Sequence, residues 1–205
     1  MSGSLYHTSI EKLQLYSTRL LANHCVPTLI GVKPACFVNT RSYFSGCKDG
    51  VLKSIRIQLE HFSCRCDVLY ETNRNYMLFI YNPSILQGTL TSNENRKFLC
   101  EYGYCFEGDI LKECIRTLRD RYQGYMISGR EFPHEIGIFL GYPCRDVKAF
   151  IRKCGKDYIA CGAWKVYYDV DYAQQVFYLY QKLRKDTLDA LHRGKSLIDA
   201  VGSSM

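Results

Sequence analysis

Three short stretches carry the residues best suited to chemistry. In "EFPHEIGIFLGYP", residues 131–143, His134 and Glu135 stand directly before an apolar run. An imidazole there can act as general base, metal ligand or hydrogen-bonded core residue. In "NHCVPTLIGVKP", residues 23–34, Cys25 is a candidate nucleophile with His134 or His24 as its base. Thr28 follows it, and Lys33 interrupts an apolar run where lysine is unusual. In "GAWKVY", residues 162–167, Lys165 stands beside Trp164, the single tryptophan of the chain. On a strand, Lys165 and Tyr167 would share one face and Trp164, Val166 and Tyr168 the other. A lysine beside a tyrosine on one face can hold a phosphate, a carboxylate or an electron-rich ring.

Each stretch also has a plain structural explanation. His134 can be a satisfied core residue, Lys165 can lie in solvent, and Lys33 can emerge at a sheet edge. One physical argument weighs against Cys25. It sits at the C-terminal end of an expected helix, where the helix dipole is negative and a thiolate is disfavoured. If His134 and Glu135 lie in a strand, they point to opposite faces and cannot both serve one pocket.

The chain has no dinucleotide or P-loop glycine pattern, no nucleophile-elbow serine, and no H-E-x-x-H helix. Any chemistry must be assembled from separate segments. Eleven cysteines are present. The nearest pairs, Cys64 with Cys66, Cys100 with Cys105 and Cys154 with Cys161, lack zinc-knuckle spacing, so no metal site is assigned. In a reducing compartment these thiols are expected to be free, many of them in the core.

The elements that must position these residues follow from hydrophobic period and stop signals. Helices are expected over 5–23, 45–62, 83–101, 107–122, 144–155 and 171–201, the last broken near Arg193-Gly194-Lys195. Thr8 or Ser9 could cap the first. Strands are expected over 28–39, 131–143 and 158–170, with a hairpin over 66–82 whose turn is Thr72-Asn73-Arg74-Asn75. Strands and helices alternate, which predicts an α/β fold, with α+β as the alternative. The expectation is a four- to five-stranded mixed sheet with six to seven helices. One globular domain over 1–201 and a disordered tail over 202–205 complete it.

With 205 residues, 47% hydrophobic and 23% charged, the chain is long enough for one well-buried core. The net charge is +7, but Lys and Arg are scattered among acidic residues, which argues against a nucleic-acid surface. No apolar run reaches about 18 residues, so no membrane partner is expected. The start has no signal-peptide pattern, which points to the cytoplasm.

Read together, "CVPTLIGVKPACF", "EFPHEIGIFLGYPCRDVKAFI", "CGAWKVYYDVDYAQQVFYLY" and the ending "LHRGKSLIDAV" resemble an uncharacterised bacterial family, the domain of unknown function DUF3793. The resemblance covers about residues 9–198. It implies a cytoplasmic protein of anaerobic Firmicutes and brings no activity, substrate or catalytic residue. Members of that family often carry a cysteine in the last helix where this chain reads Lys182-Leu183. That departure from the family argues against a cysteine-ligated cofactor there.

The residues thus predict a small-ligand or cofactor-binding protein, the cofactor itself unassigned. Its pocket would form where Cys25, Thr28, Lys33, His134, Glu135, Lys165 and Tyr167 converge at strand ends. Three alternatives stand beside it: a cysteine hydrolase or acyl-transfer enzyme with a Cys25–His134 pair, a metal or haem handling protein, and a non-catalytic interaction module.

Overall fold

The structure, a computed structural model, describes residues 2–40 and 48–203, with side chains from Ile10 onward. Helix α1 runs Ser2–His24, so the expected caps Thr8 and Ser9 lie within it rather than at its start; the tail residues Ser204 and Met205 lie outside the described residues. A central antiparallel sheet holds β1 (Ala35–Asn39), β2 (Arg65–Glu71) and β3 (Tyr76–Tyr81) in the order β1-β3-β2. Strand β3 lies in the middle, which is why it reads as an unbroken apolar run, "YMLFIY": both of its faces are covered.

Side-chain alternation divides the core into two layers. Cys36, Val38, Leu78 and Ile80 point to one face, with Cys66 and Val68 of β2 beside them. That face is covered by α1, by α2 (Val26–Ile30), by α3 (Lys48–Leu59) with a short 3-10 turn after it, and by α10 (Leu197–Gly202). Ala35, Phe37, Phe79 and Tyr81 point to the other face. There they meet α4 (Pro83–Thr91), α5 (Asn93–Glu101), α6 (Ile110–Ser128), α7 (Ile136–Phe139) and α8 (Cys144–Arg152). The long α9 (Val170–His192) packs against α1, α2 and α10. A bulge in β2 lets Leu69 and Tyr70 both join the second layer.

Helix and sheet are mixed as expected, broadly in the α+β manner, but three strand expectations need correction. The first is 131–143, where residues 136–139 form a helical turn. Leu140 and Gly141 donate back to Ile136 and Ile138 carbonyls at 3.0 Å each. The run is apolar on all sides because the turn is buried on all sides, and a short apolar run carries no period to separate the two states. The second is 28–39, where residues 28–30 belong to α2, closed by left-handed Gly31, and the strand starts only after Pro34. The third is 158–170, which is a small separate hairpin, β4 (Ala160–Cys161) and β5 (Lys165–Val166). The sheet is therefore three-stranded and antiparallel, not a four- to five-stranded mixed one. Among the described residues there are ten α-helices rather than six or seven, because short turns such as α2 and α7 replace strands and Ser92 splits the expected 83–101 helix.

Gly141 closes α7 in a Schellman arrangement. Its N–H reaches Ile138 O, and the Tyr142 N–H reaches Gly137 O at 2.9 Å. Its φ is +78°, and a Cβ there would lie 2.6 Å from Pro34 Cδ. Gly141→Ala is expected to cost about 1–3 kcal/mol, from left-handed strain plus the clash. Urea denaturation checks this; an unchanged midpoint would contradict it.

Candidate functional site

A hollow lies beside α7, between α8 and the β4–β5 hairpin. Its cavity volume is ≈ 320 Å³, at the small end of the ~300–1,000 Å³ usual for ligand sites. Four aromatic rings wall it: Phe132, Tyr142, Phe150 and Trp164. Tyr142 and Trp164 stack with centroids 5.3 Å apart and planes 30° apart. Phe177 of α9 supports the indole edge-on at 4.6 Å. Gly162 lets the hairpin lie flat on that ring, since a Cβ there would come within 2.2 Å of Phe177 Cδ2.

His134 sits in this wall, its ring 5.2 Å from Phe132 and 5.0 Å from Phe150. Among the described residues no side chain hydrogen-bonds the imidazole, so its nitrogens are available to whatever enters the pocket. Glu135 does the opposite. It is fully buried, and its carboxylate accepts from the Arg121 guanidinium and, at 2.9 Å, from the Tyr104 hydroxyl. Glu135 is a clamp between α6 and α7, not part of the pocket. The two neighbours thus face different ways.

Lys165 lines the pocket from β5. Its ammonium donates to Gly155 O at 2.7 Å and lies 4.7 Å from the Tyr158 ring centroid and 5.6 Å from that of Phe150. Asp146 is the one carboxylate in the lining, and it is already engaged. It accepts from Trp164 Nε1 at 2.8 Å and from the Tyr167 N–H at 3.0 Å, pinning the hairpin to α8. The remaining side-chain polarity at the pocket is His134, which can both donate and accept, the other ammonium protons of Lys165, and the Cys161 thiol. Tyr167 itself does not line the hollow. Its ring lies under Lys153, and its buried hydroxyl has no hydrogen-bond partner among the described residues.

Cys25 and Thr28 lie in the layer on the opposite face of the sheet. Cys25 joins α1 to α2 and is completely buried beside Leu21 and Leu29. Its thiol meets that of Cys36 in β1. Thr28 is fully buried and its hydroxyl has no hydrogen-bond partner among the described residues. Lys33 has the Tyr142 and Tyr180 ring centroids each 5.7 Å from Nζ. Burial pushes both of these phenols up to about 12, so neutral rings face the ammonium. Burial also lowers the Lys33 pKa, and the nearby thiols only partly oppose that.

The expected set is therefore two sites, not one. His134 and Lys165 share the aromatic pocket; Cys25 and Thr28 lie with Cys36 in the other layer, and Lys33 reaches the Tyr142 ring that walls the pocket. The Cys25–His134 pair is not assembled, because its members belong to layers on opposite faces of the sheet. Burial raises the Cys25 thiol well above its ordinary value, the reverse of what a nucleophile needs. Among the described residues no group of three or more His, Cys, Asp or Glu is arranged to hold a metal. Sequence reasoning missed Asp146, Phe150, Cys161 and Cys36 as site residues. Trp164 was visible as the single tryptophan, but its stacking on Tyr142 depends on a hairpin that read as one strand.

The chain carries the "FPHEIGIFLGYP" segment as the pocket-side turn of this fold, and a family model matches residues 21–201, nearly the whole sequence. The chain belongs to the family described as "Protein of unknown function (DUF3793)". No curated protein and no solved structure matches it. Among the described residues no helix is long and apolar enough to cross a membrane.

Proposed function

We propose that this protein binds a small, flat, largely apolar molecule carrying an acidic or hydrogen-bond-accepting group, in the pocket between α8 and the β4–β5 hairpin. The observation that carries this reading is the lining: four aromatic rings around a hollow whose one carboxylate is consumed, leaving Lys165 and the His134 imidazole, which has no side-chain partner among the described residues, to meet a ligand. Rings supply apolar contact and stacking, and a few convergent polar groups set orientation. His134 sits at the inner wall and Lys165 at the hairpin edge, so an acidic group would lie between them with the flat body against Trp164 and Tyr142. The cytoplasm is the compartment this reading assumes, where the ten described cysteines stay free.

The experiment is native mass spectrometry of protein purified without oxygen, beside His134→Ala and Lys165→Ala. Wild type is expected to retain a small molecule, or to recover one from a small-molecule extract, and both variants are expected to lose it. Equal retention in all three proteins, or none in wild type even after the extract, would count against the reading.

A further inference from the structure

A second groove lies in the layer on the other face of the sheet, where α1 and α3 with its 3-10 turn meet α9 and α10. Its cavity volume is ≈ 370 Å³. The half-buried Phe62, Leu188 and Leu191 form its floor and pack on the core beneath. Leu15, Ile57 and Ile198 converge on it from three helices, 51%, 51% and 46% exposed. Exposed aliphatic residues scattered singly are ordinary, but three gathered on one hollow are not. Six of the seven apolar residues in the lining are aliphatic, and only Phe62 is aromatic. The pocket beside His134 has the opposite character. The polar side chains inside the groove satisfy one another: Thr18 Oγ1 donates to Gln58 Oε1 at 2.9 Å, and Gln58 Nε2 to Ser17 Oγ at 2.6 Å. Among the described residues no Asp or Glu lines it. Glu60, Asp189 and Asp199 adjoin lining residues in the sequence without lining it, and Asp199 is occupied by the Ser196 hydroxyl at 2.6 Å. The ionisable groups that do line it are Arg19, Lys195, His61 and His192. Among the described residues the Arg19 guanidinium has no hydrogen-bond or ion-pair partner. Lys195 donates once, to Ser203 Oγ at 2.8 Å, and keeps two ammonium protons.

We infer that this groove binds a straight-chain carboxylate, its alkyl chain on the aliphatic floor and its head group drawn to Arg19 and Lys195. The charge of the lining selects an anion, and the aliphatic walls suit a flexible chain that has no ring to stack. The size selects a small molecule. One turn of an α-helix, ~10 Å across and ~5.4 Å tall, fills about 400 Å³, more than the groove holds. An extended peptide would meet helical walls whose backbone groups are already paired. A membrane would require the apolar residues on a projecting face, and here they line a hollow. The groove and the aromatic pocket belong to different layers of the core, so loss of a ligand from one leaves the other intact.

The test is ¹H–¹³C NMR of the full-length protein labelled at its isoleucine methyl groups. It is titrated with octanoate, decanoate and decyltrimethylammonium, each below its micelle concentration. The Ile57 and Ile198 methyls are expected to shift along saturating curves with both acids, while Ile138, buried in the other layer, stays still. Each added methylene should tighten binding about two- to fourfold. The cation of equal chain length should bind more weakly than decanoate. The double variant Arg19→Gln with Lys195→Gln should lose about fivefold in decanoate affinity. Leu15→Gln should weaken both acids. All three positions are exposed, and circular dichroism confirms that the variants are folded. Methyls that do not saturate, a cation that binds as tightly as the acid, or an unchanged affinity in the double variant would overturn the inference. So would a protein that ignores decanoate but sediments with phosphatidylglycerol vesicles, which would assign this face to a membrane.

Discussion

Glu135→Ala is expected to destabilise the protein by about 3 kcal/mol, the lower end of the ~3–5 kcal/mol seen when one partner of a buried ion pair is removed. Glu135 has no exposed surface, and it satisfies both Arg121 and the Tyr104 hydroxyl. Deleting the carboxylate leaves a buried hydroxyl without its acceptor and a guanidinium facing a void. Arg121 is 37% exposed, so it can recover part of its hydration, which sets the estimate at the lower end. Glu135→Gln keeps an acceptor for Tyr104 and should cost less, about 1–2 kcal/mol. Urea denaturation of the three proteins gives the order. A Glu135→Ala midpoint equal to that of wild type would show that the clamp contributes nothing.

A second large effect is expected at Asp146, also about 3 kcal/mol for Asp146→Ala. Two buried donors, Trp164 Nε1 and the Tyr167 N–H, lose their acceptor together, and each orphaned group costs about 1–3 kcal/mol. The consequences differ from those at Glu135. Asp146 is what fixes the β4–β5 hairpin to α8, and the hairpin is a wall of the pocket. Trp164 emission, which reports on a single indole, should therefore shift to the red in Asp146→Ala and stay unchanged in Glu135→Gln. An unshifted spectrum in Asp146→Ala would mean that packing on Phe177 holds Trp164 without the carboxylate.

Much of the fold was legible where the period was long. The hairpin β2–β3, helices α1, α3 and α6, and the break before α10 all follow from patterns of ten residues or more, or from a turn-rich centre. The failures share one physical cause. The apolar runs at 28–30 and 136–140 are each shorter than two helical turns, and burial on every side removes the alternation that would tell strand from helix. The stop at Gly141 was readable, but a left-handed glycine ends a helix as readily as it ends a strand. The site was half legible for a related reason. His134 and Lys165 stood out as polar residues in apolar runs, and so did Lys33. Which of them meet depends on sheet-face parity. A strand over 28–39 would have carried Lys33 along the sheet; the real chain folds α2 and a turn first, and brings Lys33 to 5.7 Å from the Tyr142 ring. Asp146 and Phe150 look like ordinary positions of an amphipathic helix, and nothing local marks them.

The central claim is that the aromatic hollow beside His134 is a ligand site. Its most direct test uses the one indole N–H of the chain, recorded by ¹H–¹⁵N NMR on anoxic protein and titrated with benzoate, indole-3-carboxylate and the non-planar cyclohexanecarboxylate. The account predicts that the planar acids move the Trp164 resonance along a saturating curve. The response should weaken in His134→Ala and Lys165→Ala and be smaller for the non-planar acid. A resonance that none of the three moves, or that moves equally in wild type and both variants, would contradict it.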